Sequence, residues 1–470
     1  MQLRVKRRGA HSALHTSPPD ETVARRRRQL GKGDSSTDPE EPISELGRRK
    51  KLPWAASLFL ATLVVPWIIQ IGPARLSLYR FVLLATLAPS LVMWVMGKAG
   101  KVRIADTALI LFSLWCALGL FVLHPWGLAV QPGAIIVLET VGPYFLARCY
   151  IRDEDDFYNM TLLLSRAIAI FLPFALFETI TGRNITLELF GLIFPTPPDT
   201  VYEPRWGYRR VQAFLEHPIL YGVFTGSILA MTHLVLGYGK PFLQRLKRSG
   251  VIAATAFLSL SAGPLTAVAT QIMLMTWNRT LQKNTGRWKI LWGLLFMAYL
   301  FIALISNQSV PEFYITHFSF DELSAYYRVL IWRFGSESVL NHPLFGVGLG
   351  QWDRPDWMPP SIDMFWLIHA VYFGIPAAFL MLLAFGSLFW SVSFKKGLSD
   401  KRCEYRAAYL FVMAGFFIVG WTVHFWNATY ALFIFLMGSG VWLLEGKDDP
   451  PRGAKRPPAM IDPGGKRFKP

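Results

Sequence analysis

The sequence predicts an all-α polytopic membrane protein with about twelve transmembrane elements and both termini in the cytoplasm. The first observation is composition: 53% of the 470 residues are hydrophobic, 14% are aromatic and only 17% are charged, which exceeds what a soluble domain needs to build a core. The second is that apolar runs of about twenty residues, enough to cross a bilayer, recur along the chain. The third is that loops rich in Lys and Arg alternate with loops poor in them.

Ten apolar runs are long enough to be predicted spans. They cover residues 54–71, 76–96, 104–124, 127–147, 157–180, 217–236, 288–306, 364–394, 405–424 and 426–445. A further segment, 251–276, has basic loops on both sides, so both of its ends are expected in the cytoplasm. Gly263-Pro264 in its middle disfavours one continuous helix. We therefore predict two short helices joined by residues 259–264, which completes twelve elements.

Five parts follow from this pattern. Residues 1–52 are predicted to be a disordered, basic cytoplasmic tail, and residues 446–470 a second disordered cytoplasmic tail. Membrane helices fill 53–306, including an outside loop at 182–216, and 363–445; a large outside loop covers 307–362. The net charge of +17 is then mainly a signal for orientation and for anionic lipids, so we expect no nucleic acid as a partner.

The sequence predicts neither a metal site nor a cofactor site. Cys116, Cys149 and Cys403 are too few and too scattered for a disulfide framework or a zinc cluster. The two predicted outside loops contain no HExxH and no Asp-x-Asp motif. Glycines 346, 348 and 350 follow no predicted strand, so they do not indicate a nucleotide site. These patterns favour transfer from a donor that was activated in advance.

The two outside loops contain arginine and no lysine, although lysine is common elsewhere in the chain. The seven arginines are Arg183, Arg205, Arg209, Arg210, Arg328, Arg333 and Arg354. A guanidinium group is always charged and presents a planar fork of donors that matches phosphate oxygens. The pattern therefore favours binding of a diphosphate. The alternative is that these arginines pair with the loop carboxylates, namely Glu203, Glu312, Asp321, Glu322 and Glu337.

Two segments place arginine before a His-Pro corner. The first runs from Arg209 and Arg210 to His217-Pro218, and the second from Arg328 to His342-Pro343. Because the residue before proline is pushed out of the helical region, His217 and His342 either shape corners or contact a substrate. His369, at the start of an apolar helix, is either a core residue or a proton acceptor.

The larger loop is predicted to contain its own helix. Ser319-x-x-Glu322 is a capping-box pattern, and apolar residues recur after it at helical spacing. Arg328 and Trp332 are four residues apart, so they share one face of this helix.

Arg80, Glu139, Arg166 and Glu178 are ionisable residues that lie well inside predicted spans. A charge in the bilayer is costly unless it meets a partner or a wet cavity. Arg80 and Glu178 are predicted near the outer ends of their spans, where they either pair with each other or contact a substrate.

These residues resemble the bacterial O-antigen ligase and O-antigen or exopolysaccharide polymerase superfamily of membrane glycosyltransferases. The resemblance covers roughly residues 52–445. Its motifs are the arginine before a His-Pro corner (Arg210 to Pro218), a break in the next apolar pair (Ser259 to Pro264), Arg-x-x-x-Trp (Arg328 and Trp332), and His-Pro-x-x-Gly-x-Gly (from His342). It implies a GT-C-like membrane fold in the bacterial inner membrane, with an active site facing the periplasm.

The chain departs from the family pattern at three places. The family often has glycine where Ala213 stands, and an arginine where Ala262 stands. Its helix after the large loop commonly begins with His-Asn, where this chain has Asp363-Met364. A histidine base of the ligase type is therefore not expected at that place.

The resemblance implies that the donor is an oligosaccharide on undecaprenyl diphosphate and that the acceptor is another glycan. Chain-length regulator and flippase proteins are the implied protein partners, and inner-membrane lipids surround the chain. We expect Arg210 and Arg328 to hold the diphosphate, helped by Arg209 and Arg333, and Asp363 to act as the base. Glu216 and His369 are reserve bases. The remaining expected substrate contacts are Arg205, Arg80, His217 and His342.

Polymerase and ligase differ only in the acceptor, a lipid-linked glycan or the lipid A core, and Asp363 with Phe365-Trp366-Leu367 favours a polymerase. A transporter is the alternative of another class, because broken helices are also typical of transporters. It would require a matching break in the other half of the chain. A structural subunit of an export complex is the third alternative, but it would not need so many loop arginines.

Overall fold

The computed structural model describes residues 50–72, 74–317 and 322–445. These residues are mostly helical. The two predicted tails lie outside the described residues, apart from residues 50–52. The elements have the following bounds: α1 Trp54–Thr62, β1 Ile68–Ile71, β2 Ala74–Ser77, α2 Leu78–Val95, α3 Ile104–Leu123, α4 Trp126–Tyr150, α5 Glu154–Thr181, α6 Ile185–Gly191, α7 Pro218–Gly226, α8 Leu229–Leu234, α9 Phe242–Phe257, α10 Ala262–Thr280, α11 Arg287–Ile305, α12 Val310–His317, α13 Glu322–Asn341, α14 Phe365–Phe394, α15 Asp400–Val419, α16 Asn427–Ser439 and a final 3-10 turn Val441–Leu444.

Seven of the described helices are long and apolar enough to cross a membrane, judged by length and composition. They are α2, α3, α4, α5, α11, α14, and α16 together with the 3-10 turn. Residues 218–234 form a shorter apolar stretch. Helix α11 buries none of its residues, and its apolar side chains are exposed all around it. Such a helix needs an apolar solvent, so the chain has the character of a multi-pass membrane protein.

Two predicted spans are wrong in extent. The run at 54–71 is helical only as far as Thr62, and it continues into a two-stranded antiparallel hairpin in which Ile68 lies opposite Ser77. The run at 217–236 is divided into α7 and α8, with Ser227 and Ile228 between them. Apolar composition gave no sign of either change, because an apolar strand and a broken helix can be as apolar as a continuous span.

The break predicted in 251–276 is confirmed, but it lies slightly earlier. Helix α9 ends at Phe257, α10 begins at Ala262, and Leu260 between them has φ of 45°. Gly263 and Pro264 fall in the first turn of α10, where proline costs no helical hydrogen bond. The two helices have 16 and 19 residues, so they extend beyond the predicted segment.

A close contact holds α7 against this break. A Cβ atom on Gly222 would lie 2.3 Å from Ser259 Oγ and 2.6 Å from Pro264 Cβ. Only glycine permits this approach. Helix α7 therefore packs directly against the break between α9 and α10.

The bundle has two chemically different ends. At one end, which we call the loop end, Ile68 N–H donates to the carbonyl of Pro195 (2.8 Å), and Leu349 N–H donates to His124 Nε2 (2.7 Å). At the other end, which we call the basic end, Lys50 pairs with Asp153. The basic loops that the sequence predicts to be cytoplasmic lie at this end.

Arg148 organises the basic end. Its side chain is fully buried and pairs with Asp106 (3.5 Å) and with Glu445 (2.9 Å), and it donates to the carbonyl of Lys101 (2.7 Å). Arg152 also pairs with Glu445 (2.8 Å). A buried arginine that is paired with two carboxylates has its charge balanced, so these residues have a structural role.

The large loop contains the predicted helix, which is α13. The capping residue Ser319 lies outside the described residues, and Glu322 is the first residue of the helix that is described. Helix α13 packs against α14 in a small second core that includes Ile331, Trp352 and Met364. This core fixes the loop to the membrane helices.

Candidate functional site

Two arginines of the first loop bind at the helix break between α9 and α10, and the charge of a third arginine, on α13, acts on one of them. Arg205 donates to the carbonyl of Leu260 (2.8 Å), and Arg210 donates to Ser261 Oγ (2.9 Å). Arg328, on α13, lies close enough for its charge to act on Arg210. We call Arg205, Arg210 and Arg328 the arginine cluster.

Arg210 carries a positive charge that no carboxylate in the described part of the chain balances. Besides Ser261, it contacts the ring of Tyr202, with its guanidinium carbon 5.8 Å from the ring centre. Burial, with the charges of Arg205 and Arg328, lowers the pKa of Arg210 to about 10. The group remains a cation at neutral pH, and an anion beside it would be stabilising because it would offset the neighbouring positive charges.

Backbone turns position Arg205 and Arg210. Arg205 and Tyr208 exchange backbone hydrogen bonds of 3.0 and 2.9 Å across a turn in which Trp206 and Gly207 both have positive φ. This is the geometry of a tight two-residue hairpin. Further on, Ala213 has φ of 47°, a conformation that favours glycine. The position where the resemblance implies glycine is thus one whose backbone suits glycine.

Arg209 does not join the cluster. It pairs with Asp199, lies 3.6 Å from Glu178 Oε1 and donates to the carbonyl of Gly182. Glu178, in turn, accepts the backbone N–H groups of Gln212 (3.0 Å) and Ala213 (3.1 Å). These contacts hold the loop on the end of α5, so Arg209 has the structural role that was the alternative for the loop arginines.

Arg333 also has a carboxylate partner. Its Nε lies 2.6 Å from Glu312 Oε1, and its side chain is 63% exposed. Glu312 was among the carboxylates expected for such pairing. This ion pair links α13 to α12.

Asp363 lies two residues before the first residue of α14, and the charge of Arg328 acts on it. Burial raises the pKa of this carboxyl group, and the charge of Arg328 opposes the rise. A raised pKa makes a carboxylate a stronger base. The charge of Arg328 therefore acts on both Arg210 and Asp363, the two other residues that the sequence placed at the centre of the site.

Arg80 belongs to a separate hydrogen-bonded chain. Its Nε pairs with Glu139 (2.8 Å), and its Nη2 donates to Asn427 Oδ1 (2.9 Å), so the alternative in which Arg80 pairs with Glu178 is wrong. Asn427 Nδ2 donates to Glu216 Oε1 (2.9 Å). The second oxygen of Glu216 is buried and has no hydrogen-bond partner within the described residues.

The two His-Pro segments differ in structure. His217-Pro218 begins α7: His217 Nδ1 accepts the N–H of Ile219 (3.0 Å), and Pro218 occupies the first turn. His342-Pro343 instead follows the end of α13, and His342 Nε2 lies 3.7 Å from Asp353. Burial and then Arg210 lower the pKa of His217 to about 4, so this ring is neutral at pH 7.

His369 is buried on α14 among aromatic rings. The rings of Phe112 and Phe365 approach it at 5.0 and 4.7 Å. Neither ring nitrogen has a hydrogen-bond partner in the part of the chain that the structure describes. The surroundings are those of a core residue.

Sequence reasoning missed three residues of the site. Tyr202 lies between Arg210 and the ring of His217, which is 4.3 Å away. Ser261 is the hydrogen-bond partner of Arg210, and Asn427 connects Arg80 to Glu216. Asn427 offered one signal in the sequence, because it is a polar residue at the start of an apolar run. In the structure its φ is 50°. Tyr202 and Ser261 gave none.

A scan against protein-family models finds no match to this chain, and a search of curated proteins finds none either. The geometry of the arginine cluster is therefore what bears on function.

Proposed function

We propose that this protein is a glycosyltransferase that uses a polyprenyl-diphosphate-linked oligosaccharide as its donor and acts at the periplasmic face of the bacterial inner membrane. The observation that carries the proposal is the arginine cluster. Both loops contribute to it, and Arg210 has no carboxylate partner among the described residues. A diphosphate would balance this charge.

The cluster suits the leaving group of such a transfer. Negative charge grows on the diphosphate as the bond from the anomeric carbon to its oxygen breaks. Guanidinium groups that are already fixed stabilise this charge without reorganising. Arg205 also donates to Leu260, two residues before Ala262. A cation is therefore present beside the position where the resemblance implies an arginine.

Asp363 is the proposed base. In the proposed step, the acceptor hydroxyl oxygen forms a bond to the anomeric carbon, its proton passes to the Asp363 carboxylate, and the polyprenyl diphosphate leaves. Asp363 is half-buried, and the charge of Arg328 acts on it. Glu216 is less suitable because one of its oxygens accepts from Asn427 and the other is buried. His369 is enclosed by aromatic rings.

Polymerisation is the favoured reaction within this class, with another lipid-linked glycan as the acceptor. The carboxylate at position 363, where the ligase pattern has a histidine, supports this choice. Ligation of the glycan to lipid A core uses the same donor chemistry and remains the alternative acceptor reaction.

A transporter is the second candidate because the second half of the chain also contains a helix break. Gly374 interrupts α14 with φ of 81°. However, this break is filled by backbone: the N–H of Ile375 donates to the carbonyl of Pro343 (2.8 Å), and Leu344 lies against Gly374. A transport site would instead need unwound backbone that lines a polar cavity.

The test is a polymer assay in vesicles or cells on Arg210→Lys and Arg328→Lys. Each variant keeps the positive charge and loses the planar, forked set of donors of the guanidinium. We expect the rate of glycan transfer to fall by about 100-fold or more. Arg183→Lys, in an exposed pair with Glu188, is the matched control and should keep full activity. Polymer of normal length and amount in both test variants would refute the proposal.

A further inference from the structure

A buried ion pair joins α2 to α4. Arg80 Nε lies 2.8 Å from Glu139 Oε1, and the hydroxyl of Tyr79 donates to the same oxygen. The other two guanidinium nitrogens of Arg80 donate to the carbonyl of Arg75 (3.1 Å) and to Asn427 Oδ1 (2.9 Å). Glu139 accepts two hydrogen bonds and is paired, so its charge balances that of Arg80.

Glu216 adds a second carboxylate to this group without adding a cation. Its Oε1 accepts the amide N–H of Asn427 (2.9 Å), which is a neutral donor. The charges of Glu139 and Arg80 both act on Glu216. Within residues 50–72, 74–317 and 322–445, no cationic side chain lies within ion-pair distance of Glu216. Two carboxylates and one guanidinium therefore leave one negative charge unbalanced.

The second oxygen of Glu216 lacks a partner in either protonation state. Oε2 is buried and forms no hydrogen bond in the described part of the chain. Burial raises the pKa of this carboxyl group, so a proton is one candidate for the balancing charge. However, a proton on Oε2 would create an O–H group without an acceptor. Buried polar atoms in native proteins have partners, and ordered ions are among them.

The chemistry of the group selects a small hard cation of single charge. Oxygen atoms are the ligands that such cations prefer. Besides Glu216 Oε2, the amide oxygen of Asn427 has a second lone pair that Arg80 does not use. One unbalanced negative charge matches a monovalent ion, whereas a divalent ion would leave an excess of positive charge in a buried place.

We propose that Glu216 Oε2 is the anchor of a binding site for an alkali cation, Na⁺ or K⁺. Glu216 lies two residues before α7, and Asn427 is the first residue of α16. A bound ion would therefore fasten the end of the first loop to the start of α16. The metal motifs sought in the sequence do not describe such a site, because its oxygens come from separate elements. The inference does not depend on glycan transfer.

The experiment measures binding of radiolabelled Na⁺ to the full chain in nanodiscs of neutral phosphatidylcholine. Choline chloride keeps the ionic strength constant, so that general screening does not change. We expect saturable binding of about one Na⁺ per chain and a melting temperature that rises with Na⁺ concentration. Competition by unlabelled K⁺ tells which of the two ions the site prefers.

Glu216→Gln tests the anchor. The variant keeps an oxygen for the Asn427 amide and removes the unbalanced charge, so Na⁺ affinity should fall by at least about tenfold. Its melting temperature should no longer depend on Na⁺. Glu188→Gln, on an exposed residue of the same loop, is the matched control and should bind Na⁺ as the wild-type chain does.

Glu139→Gln is a second variant with a different logic. It leaves the charge of Arg80 to balance Glu216, so it should also weaken Na⁺ binding although Glu216 is intact. Several outcomes would overturn the site. They are a wild-type chain that binds neither ion, Na⁺ binding that persists in Glu216→Gln, and a wild-type chain that is stabilised by acid but not by either alkali ion. The last result would show that a proton balances the charge.

Discussion

Arg210 donates a hydrogen bond to the hydroxyl of Ser261, with 2.9 Å between Nη2 and Oγ. Ser261 precedes α10 in the N-cap position, yet its side chain does not cap that helix and instead donates to the carbonyl of Ser259 (2.8 Å). The hydroxyl is thus free of the usual capping role. It fixes an arginine from a loop to a break between two helices.

Ser261→Ala should slow the proposed transfer and also lower stability. The substitution removes the bonds of the hydroxyl to Arg210 and to the carbonyl of Ser259, and a hydrogen bond to a charged group is worth about 1.5–3 kcal/mol. We expect about a tenfold fall in activity and a lower melting temperature. Ser387→Ala, whose hydroxyl bonds within α14, is the control. Equal activity in the two variants would mean that Ser261 does not position Arg210.

Glu178→Ala should destabilise the first loop. The Glu178 side chain is almost fully buried, and the substitution leaves Arg209 and two backbone N–H groups without their acceptor. Removing one partner of a buried pair costs about 3–5 kcal/mol. Glu188→Ala breaks only an exposed pair with Arg183 and should cost less than about 1 kcal/mol. Thermal unfolding in detergent checks both, and similar melting temperatures would contradict the assigned role.

Ala213→Gly should stabilise the protein slightly. Alanine at φ of 47° is strained by about 1–2 kcal/mol, which glycine relieves at an entropic cost of about 0.5–1 kcal/mol. The net gain is therefore about 0.5 kcal/mol. Ala303→Gly on the exposed helix α11 is the contrasting control and should destabilise, as glycine does within a helix. A lower melting temperature for Ala213→Gly would contradict the strain.

The ionisation of Asp363 should set the acidic limb of the pH–rate profile. Its carboxyl group must be ionised to accept a proton, and burial raises its pKa above the ordinary value of an aspartate. The rate should therefore rise with pH through a midpoint above that ordinary value. Asp363→Asn should lose about 10²- to 10⁴-fold in rate, whereas Asp356→Asn, on an exposed residue of the same loop, should not. A variant at 363 that keeps its rate and its acidic limb would exclude this residue as the base.

The sequence predicted well those features that depend on local pattern. The spans at 76–96, 104–124 and 157–180 match α2, α3 and α5, because long apolar runs bounded by charged residues leave few alternatives. The helix in the large loop was also predictable from its spacing. The hairpin after α1 was not, because Ile68–Ile71 is apolar enough to continue a span and only its pairing with β2 distinguishes it.

The site was predictable in its cations and not in their partners. Loop arginines without lysine indicated Arg210 and Arg328, but the pattern did not separate them from Arg209 and Arg333. That separation depends on Glu178 and Glu312, which the fold brings from other elements. Pairing over such distances in sequence is a tertiary property.

The central claim is that the chain transfers glycans from a polyprenyl diphosphate, and reconstitution tests it most directly. The purified full chain in proteoliposomes would be given undecaprenyl-diphosphate-linked single repeats, isolated from a strain in which the gene is deleted. Mass spectrometry would follow the carrier-linked glycans. We predict carrier-linked oligomers of two or more repeats together with released undecaprenyl diphosphate, and neither with Arg210→Lys. A donor that remains intact with the wild-type chain would contradict the account.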